Sequence, residues 1–407
     1  MSKKIIIITI LLFFLFLLSN NVFYEEDIDH LAYVIAIGID KGEREKLKIS
    51  FQISIPESNS SNSGSSSSSS SQSSDTVVTT IECASLDSGI NLANGYISKE
   101  LNLSHCKIFA ISEELAKEGV SDYIYTAINN IELRPNCNFI ICKDSCKEFL
   151  EKSKPDLENL TTEYYEIVTT ASKYSSYTSD VNIIDFFLDI TDTFSESCAI
   201  LGCTCSKEGS GDLIAGETNI ETVSGDDEEG NIEIVGLAVF KGDKFVGELD
   251  GLETTAYLLI TNKLQKSIIT IPDPDDSNKT IDLQIQIQKN TKNSVKLDNE
   301  TSHVTSDICL SANILSMSSG KNYLDEENLT KIENSANNYI KNLIIKYYEK
   351  TSKEYNSDIS GLGRHAVKYF YTWDKWLDYN WLDKYKNSIF DVNVDTQVKS
   401  SYLLLKS

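Results

Sequence analysis

The sequence predicts an α+β protein of three mixed α/β domains, with sheets flanked by helices and an N-terminal hydrophobic anchor or signal segment in front. Apolar residues alternate with polar ones in several short runs, as at 47–55, which is typical of half-buried strands. Other runs repeat apolar residues at helical spacing, as at 325–351. Strand and helix patterns follow one another along the chain, which favours mixed sheets covered by helices.

The N-terminal segment is dominated by residues 5–18 (IIIITILLFFLFLL), which follow Lys3 and Lys4. A basic start before a short apolar run is typical of a secretory signal or an N-terminal anchor. The run is shorter than the roughly 18 residues that span a bilayer with confidence. The two lysines favour a cytoplasmic N-terminus and export of the rest. We therefore predict a signal-like anchor over 1–24; the alternative is a buried core helix or strand.

Changes in composition give the predicted domain bounds. An N-terminal α/β domain covers 25–195 and contains a flexible Ser-rich loop at 57–75, which has no apolar side chain to bury. A middle α/β domain covers 196–272, in which residues 232–249 are predicted to form two strands with a turn at 241–244. A C-terminal α+β domain covers 273–407, with the long helix and a final strand. The Pro-Asp run at 272–276 is interpreted as the linker between the last two domains.

Within the first domain, the runs at 30–40 and 47–55 predict a β-hairpin. Apolar residues at helical spacing predict a helix over 85–101. A later helix is predicted to begin with a capping box, in which Ser145 caps and Glu148 reaches back.

Charge and cysteine usage exclude some functions. The net charge is −24 and the pI is about 4.6, which argues against nucleic acid as a partner. The cysteines are odd in number, nine, and irregular in spacing, which suggests a compartment that is not strongly oxidising. The pairs Cys203 with Cys205 and Cys142 with Cys146 lack a second pair or nearby histidines that would complete a zinc site. No metal or cofactor is predicted.

No catalytic residue is predicted either. The four histidines are far apart, and the sequence contains neither a nucleophile elbow nor an HExxH motif. His105, beside Cys106, is interpreted as a packed or edge residue. The acidic runs at 226–229 and 273–276 do not follow the calcium-loop spacing and are interpreted as solvated loops.

Two C-terminal features remain. The step Gly361-Leu362-Gly363-Arg364 is interpreted as a turn, because a phosphate loop would stand between a strand and a helix. Trp373, Trp376 and Trp381 lie in an aromatic-rich stretch. Most of these aromatic residues are expected in the core, and one or two could be exposed anchors for a partner.

Several stretches together resemble the Ger(x)C family, the C subunits of nutrient germinant receptors in spore-forming bacteria. The most specific is GLAVFKGDKFVGELDGLETTAYLLI at 236–260, and the SDISGLGRHAVKYFYTWDKW stretch at 357–376 looks like the family's C-terminal block. The segments at 30–41, 97–119 and 131–150 are also similar to family blocks. The residues that match family motifs are Gly236, Phe240, Gly242, Gly247, Glu253, Thr254, Gly361, Gly363, Trp373, Trp376 and Trp381, and they are expected to determine the fold or to lie at an interface.

The resemblance implies a three-domain, non-enzymatic protein on the outer face of the inner spore membrane. It would assemble with the integral-membrane A and B subunits of a germinant receptor and act in spore germination through protein–protein contacts. The alternative is an exported solute-binding protein or hydrolase that uses a cleft between domains. Family members usually carry a lipidated cysteine after the apolar run, but no cysteine precedes Cys83 here. We therefore expect an uncleaved signal anchor in place of a lipid.

Overall fold

The computed structural model describes residues 30–55, 75–153, 160–173, 175–204, 232–298, 301–317 and 326–401, and isolated helical positions between 4 and 13. The predicted anchor and Ser-rich loop, and the acidic run at 226–229, lie almost entirely outside the described residues. Within those ranges no helix has both the length and the hydrophobicity to cross a bilayer.

The first part of the chain alternates strands and helices, as its sequence patterns predict. The elements are β1 (Leu31–Lys41), β2 (Leu47–Ser54), β3 (Thr76–Cys83), α1 (Leu86–Tyr96), β4 (Glu100–Asn102), β5 (Ile108–Ser112), α2 (Glu113–Glu118), α3 (Ser121–Asn129), β6 (Asn138–Cys142), α4 (Cys146–Lys152), α5 (Thr161–Thr169), α6 (Ile183–Thr191) and β7 (Cys198–Thr204).

The second part contains longer strands and the longest helix. Its elements are β8 (Ile232–Lys241), β9 (Lys244–Leu249), α7 (Gly251–Ile260), β10 (Ser267–Asp273), β11 (Asp276–Asp298), β12 (Thr301–Met317), α8 (Glu326–Glu349), a π-helical turn (Lys350–Glu354), α9 (Gly363–Ala366), α10 (Trp373–Tyr379), α11 (Trp381–Lys384) and β13 (Ser388–Ser401). The predicted long helix and final strand are confirmed.

The larger sheet has the strand order β3-β2-β1-β5-β6-β7-β8-β9, and the short β4 also pairs with β1. The predicted β1–β2 hairpin is confirmed as an antiparallel pair. Strands β1, β5, β6 and β7 run parallel to one another. Their first residues therefore lie at one edge of the sheet, which we call the amino edge, and the opposite edge is the carboxyl edge.

The smaller sheet has the order β10-β11-β12-β13, in which β13 returns parallel to β12. Alternate residues of β10 and β11, such as Ile269, Ile271, Ile281 and Leu283, are buried. Helix α8 packs on this sheet through Ile332, Ala336 and Ile340, as its helical spacing predicts. The structure therefore confirms the α+β class, with mixed sheets flanked by helices.

Three local predictions are wrong. Helix α1 ends at Tyr96 instead of 101, because the Asn94 side chain accepts a hydrogen bond from the Leu101 amide (2.9 Å) and turns the chain into β4. Ser145 precedes α4 but makes no capping hydrogen bond. Instead Asp40, at the end of β1, accepts from the amides of Cys146 (2.8 Å) and Lys147 (3.0 Å).

The third correction concerns the Pro-Asp run at 272–276. It is the turn of the β10–β11 hairpin, in which Pro272 pairs with Thr280 and Asp273 with Asp276. Asp273 stabilises the turn by accepting a hydrogen bond from the Asp275 amide at 2.9 Å. The run therefore reverses the chain within one sheet and is no linker.

The three-domain division stays a prediction. Strands β7, β8 and β9 continue the larger sheet from β6, so strand pairing connects residues on both sides of position 195. Helix α7 leads from the larger sheet to the smaller one and packs against α8. The two sheets thus share this helix as a common packing element.

Candidate functional site

The family-motif residues come together where the β8–β9 hairpin and α7 meet residues 350–387. We call this contact the junction. The six motif residues between Gly236 and Thr254 lie in β8, β9, their turn and α7, and the five from Gly361 onward lie in the facing segment. The contacts between these two stretches determine what the motif residues do.

The hairpin depends on two glycines with positive φ. Gly236 has φ +88°, and a Cβ there would overlap the carbonyl oxygen of Leu249 on the neighbouring strand. Gly242 has φ +59° in the β8–β9 turn, which confirms the turn predicted at 241–244. Its amide donates to the Glu196 carboxylate at 2.6 Å. The hairpin is thereby fixed to the chain just before β7.

Phe240 and Gly247 attach the hairpin to the π-helical turn and the residues after it. The Phe240 ring is buried against Phe186, with ring centroids 4.8 Å apart, and its carbonyl accepts from the Ser357 hydroxyl at 2.6 Å. Tyr355 lies directly on Gly247, where any Cβ would overlap its ring, and its hydroxyl donates to the Glu248 carbonyl at 2.9 Å. Gly247 is therefore needed for close packing of the ring on the strand.

Helix α7 begins at the junction with a reciprocal cap. Asp250 accepts from the Glu253 amide (2.7 Å), and Glu253 accepts from the Asp250 amide (2.9 Å). The Thr254 hydroxyl donates to the Asp250 carbonyl at 2.7 Å. Glu253 also pairs with Lys350 at 2.7 Å, and their side chains are only 15% and 23% exposed. Burial raises the pKa of Asp250 to about 6, and the Glu253 charge adds to this rise.

Asp358 is the central polar group of the junction and is fully buried. Its Oδ2 accepts hydrogen bonds from the Trp381 indole (2.8 Å) and the Gly363 amide (3.0 Å), and its carbonyl accepts from the Glu196 amide (2.9 Å). Burial raises the pKa of Asp358 to about 6, although the hydrogen bonds from Trp381 and the backbone oppose that rise. Gly361 (φ +67°) supplies the turn that brings these donors to one oxygen.

Sequence reasoning identified the glycines and tryptophans around Asp358 but missed Asp358 itself. The signal that could have found it is its place three residues before Gly361, because Asp side chains often accept from the backbone of a following turn. The interpretation of 361–364 as a turn fits the structure, because Gly361 has φ +67°. Gly363 has a different role, since a Cβ there would overlap the Phe194 carbonyl oxygen. Gly363 is thus a close-packing position.

Two more carboxyl groups lie at this side of the junction: Glu196 is buried in the loop before β7, and Asp189 is partly exposed near the end of α6. Burial raises the pKa of Glu196 to about 7, against the opposing hydrogen bond from the Gly242 amide. Burial likewise raises the pKa of Asp189 to about 6, opposed by the Ser195 hydroxyl and the Arg364 charge. The junction therefore holds its acidic side chains mainly by hydrogen bonds, with the cation Arg364 at its rim, 3.6 Å from Asp189.

The three tryptophans differ in exposure. Trp376 and Trp381 are each 1% exposed, and the Trp376 indole donates to Thr193 at 2.9 Å. Trp373 is 52% exposed and packs one edge against Phe194, with centroids 5.6 Å apart. Tyr371 beside it is 97% exposed. Two of the motif tryptophans thus belong to the core, and the third leaves much of its surface to solvent.

A cleft of 280 Å³ opens beside the junction, between the α7 C-terminus and the 359–365 turn. Its polar lining includes Asp189, Lys263, Arg364 and His365. Burial and the nearby Lys368 lower the pKa of His365. A cleft with two cations and one carboxyl group could accept a small solute that carries an acidic group.

The described residues contain no group of three or more His, Cys, Asp or Glu side chains that could hold a metal ion. The cysteines at 83, 106, 137, 142, 146, 198, 203 and 309 are free thiols, and all but Cys309 are buried. His105 is exposed and contacts the Tyr33 ring edge-on, with ring centroids 5.0 Å apart, which fits its interpretation as a packed or edge residue.

Comparison with known proteins identifies the chain. Residues 24–203 match the family described as "Spore germination protein N-terminal domain", and residues 235–402 match "Spore germination B3/ GerAC like, C-terminal". YfkR of Bacillus subtilis (strain 168), assigned to spore germination, is 21% identical over 365 residues, which cover 89% of this chain and 88% of YfkR. The crystal structure of the GerBC protein is 14% identical, with a TM-score of 0.49 over 91% of this chain and 99% of that one.

These two matches follow one another along the chain in the order of a GerAC-type spore germination protein. The protein belongs to the Ger(x)C family of spore germination proteins.

Proposed function

We propose that the protein is a non-enzymatic, membrane-associated subunit of a spore nutrient germinant receptor. It acts in spore germination through protein–protein contacts with the integral-membrane A and B subunits. The observation that carries this proposal is the match of nearly the whole chain, 24–203 and 235–402, to two consecutive spore germination families.

The geometry of the junction supports a role without catalysis. Most of its motif residues make packing contacts or backbone hydrogen bonds: the Tyr355 ring packs on Gly247, and Glu253 caps α7. The carboxyl group of Asp358 is buried and accepts hydrogen bonds from Trp381 and Gly363. Residues arranged in this way stabilise a shape, and the shape is what a partner subunit would recognise.

We further propose that residues 5–18 act as an uncleaved signal anchor and hold the protein at the outer face of the inner spore membrane. The basic residues Lys3 and Lys4 before the apolar run support this orientation. Mass spectrometry of the mature N-terminus tests the anchor. A chain that retains the apolar run is expected, and a chain that begins beyond Ser19 would refute it.

Affinity purification from spore membranes tests the partnership. A C-terminally tagged chain should recover one A-type and one B-type subunit after mild crosslinking, and an untagged strain processed in parallel is the control. Deletion of the gene in a strain without paralogues should abolish the response to at least one nutrient. Recovery of neither subunit, together with normal germination by the deletion strain, would refute the proposal.

A second candidate is an exported solute-binding protein or hydrolase, and the cleft beside the junction favours it. Lys263 and Arg364 would face the acidic group of a small solute there, and Asp189 would face a cationic group. Isothermal titration with nutrient mixtures tests binding, and release of product from peptide or glycan substrates tests hydrolysis. Binding that is lost on Lys263→Ala, but kept on substitution of the exposed Lys375, would favour this candidate.

A further inference from the structure

Four prominently exposed apolar or aromatic side chains project from separate loops and helix ends. Ile131 is 101% exposed, Tyr371 97%, Tyr96 85% and Trp373 52%. Exposure of such side chains to water does not stabilise the fold. Single exposed apolar residues are common, but several on one surface can mark a contact site. Their places in the fold decide whether they form one surface.

Tyr96 lies at the amino edge of the larger sheet. Helix α1 starts after β3 at the carboxyl edge, where Cys83 pairs with Leu47, and runs back across the sheet. Tyr96 is its last residue, and β4 follows at once, with Glu100 paired to Leu31 at the start of β1. The end of α1 and the beginning of β1 are therefore close together.

Ile131 lies at the same edge. It is in the loop between α3 and β6, whose strand begins at the amino edge. The neighbouring Glu132 accepts a hydrogen bond from the Leu103 amide at 3.2 Å, and Leu103 immediately follows β4. Ile131 and Tyr96 thus project from adjacent loops.

Tyr371 and Trp373 reach this edge from the C-terminal part of the chain. Trp373 packs on Phe194, four residues before β7 begins at Cys198. The indole of Trp376 in the same helix donates to Thr193. Trp373 and the neighbouring Tyr371 therefore lie near the edge from which Tyr96 and Ile131 project, although the three stretches are far apart in sequence.

A polar groove of 570 Å³ opens beside the starts of β5 and β6, at the same edge, and basic side chains are among those that line it. Lys107, Arg134 and Lys173 contribute positive charge, and Glu166 and Asp180 contribute negative charge. Lys107 pairs with Glu166. Among the described residues no carboxylate lies within salt-bridge distance of Arg134 or Lys173, and both are exposed. The groove is slightly cationic on a chain whose net charge is −24.

The start of the chain leads to this edge as well. The apolar run ends at Leu18, and β1 begins at the amino edge with Leu31. The intervening twelve residues, 19–30, can extend at most about 40 Å. The carboxyl edge lies farther away by the length of β1, about 36 Å for its eleven residues. An anchored chain therefore brings the amino edge to the bilayer more readily than the carboxyl edge.

We infer that the amino edge lies against the surface of a phospholipid bilayer, with Tyr96, Ile131, Tyr371 and Trp373 in the headgroup region. Tyr and Trp favour this region because their rings are amphipathic, and Arg134 and Lys173 can meet lipid phosphates. The side chains stand on separate projections, which suits a headgroup layer better than the packed core of a protein interface. The inference rests on the proposed membrane association and adds the face that contacts the lipid.

Fluorescence quenching of the full-length chain in vesicles tests the inference. Trp373 is the half-exposed tryptophan, while Trp376 and Trp381 are buried. We expect vesicles with brominated phosphatidylcholine and phosphatidylglycerol to quench part of the emission, and the quenching to disappear in Trp373→Phe. Iodide in the aqueous phase should quench Trp373 less in unbrominated vesicles than in solution without lipid.

A second variant covers the case in which Trp373→Phe alters the local packing. Tyr96→Ser combined with Ile131→Ser should reduce quenching by brominated lipid, because both side chains are exposed and their removal leaves the core intact. Ile268→Ser, at a 51% exposed position of the smaller sheet, is the matched control and should leave quenching unchanged.

Flotation of the same vesicles separates membrane association of the chain from contact between the amino edge and the lipid. If the chain floats with vesicles but Trp373 stays fully accessible to iodide and is not quenched by brominated lipid, the amino edge is free or reserved for a protein partner, and the inference is overturned. If the chain does not float at all, the proposed membrane association fails and the inference fails with it.

Discussion

Substitution of Asp358 by Asn is expected to change how the stability of the protein depends on pH. Asp358 is fully buried and accepts its side-chain hydrogen bonds through one oxygen, from Trp381 and Gly363. Asparagine keeps an accepting oxygen at the same place and carries no ionisable group. The variant therefore retains the packing of the junction and removes the titration of this side chain.

The magnitude follows from the raised pKa. Burial raises the pKa of Asp358 from the ordinary 3.8 to about 6. Between these two values the folded protein binds more protons than the unfolded chain, so the free energy of unfolding falls as the pH rises. A difference of about two pKa units corresponds to a loss of roughly 3 kcal/mol once the pH is above 6, since one unit is about 1.4 kcal/mol. The contribution of Asp358 is therefore most favourable at low pH.

Urea unfolding at pH 5 and pH 7.5 measures this effect. The unfolding free energy of Asp358→Asn minus that of the wild type should rise by about 1.5 kcal/mol between these pH values, roughly half of the full effect. The fluorescence of Trp376 and Trp381 reports unfolding, because both indoles are buried. Asp378→Asn, at an exposed position in the same segment, is the control and should show no such difference.

A difference between Asp358→Asn and the wild type that stays constant from pH 5 to pH 7.5 would show that folding does not raise the pKa of Asp358. A difference that grows toward low pH would contradict the expected effect as well, because it would mean that folding lowers the pKa of Asp358. Glu196 also titrates in this range, since burial raises its pKa to about 7. Its contribution cancels in the difference only in part, because the charge of Asp358 itself adds to the rise in the pKa of Glu196.

Two further substitutions test the packing and the ion pair of the junction. Gly247→Ala places a methyl group in the space of the Tyr355 ring and should lower the unfolding free energy by about 1–3 kcal/mol; in the Tyr355→Ala background, urea titration should show a clearly smaller effect, and equal effects would contradict the contact. Lys350→Ala leaves the largely buried Glu253 carboxylate without its cation and should lower the unfolding free energy by about 2 kcal/mol. Thermal unfolding measures this loss. If high salt removed the difference in stability between the wild type and the variant, the pair would behave as a surface ion pair.

Much of the fold could be predicted because most elements carry their own periodicity. The apolar residues of α8 recur on one face, and those of β2 alternate, so either pattern is readable without its partners. The errors fall where a particular side-chain contact decides the local structure. Asp40 caps α4 from β1, 105 residues away from Ser145 in sequence, and no local pattern indicates that pairing. Asn94 ends α1 through a nearer contact, in which it accepts a hydrogen bond from the Leu101 amide.

The junction could be predicted only in part for a related reason. Glycines with positive φ leave a signal in the sequence, so Gly242 and Gly361 were readable as turns. At positions 247 and 363 only glycine leaves room for Tyr355 and Phe194, respectively. The residues next to these glycines in the sequence give no sign of such contacts. Asp358 was missed because its role depends on its burial, and the sequence does not show which of its many carboxyl groups are buried.

The junction also explains how the most family-specific stretch of the sequence stabilises the structure. It joins the β8–β9 hairpin of the larger sheet to the segment that leads into β13 of the smaller sheet. Its buried carboxyl groups accept hydrogen bonds from an indole and from backbone amides. A change in the packing of the two sheets would break these hydrogen bonds. An opening of the junction would leave those donors and the carboxyl groups unpaired unless water entered, at a cost of about 1–3 kcal/mol for each neutral group. The protein is therefore expected to present its exposed edges to partners as a rigid unit, with its two sheets held in one relative orientation.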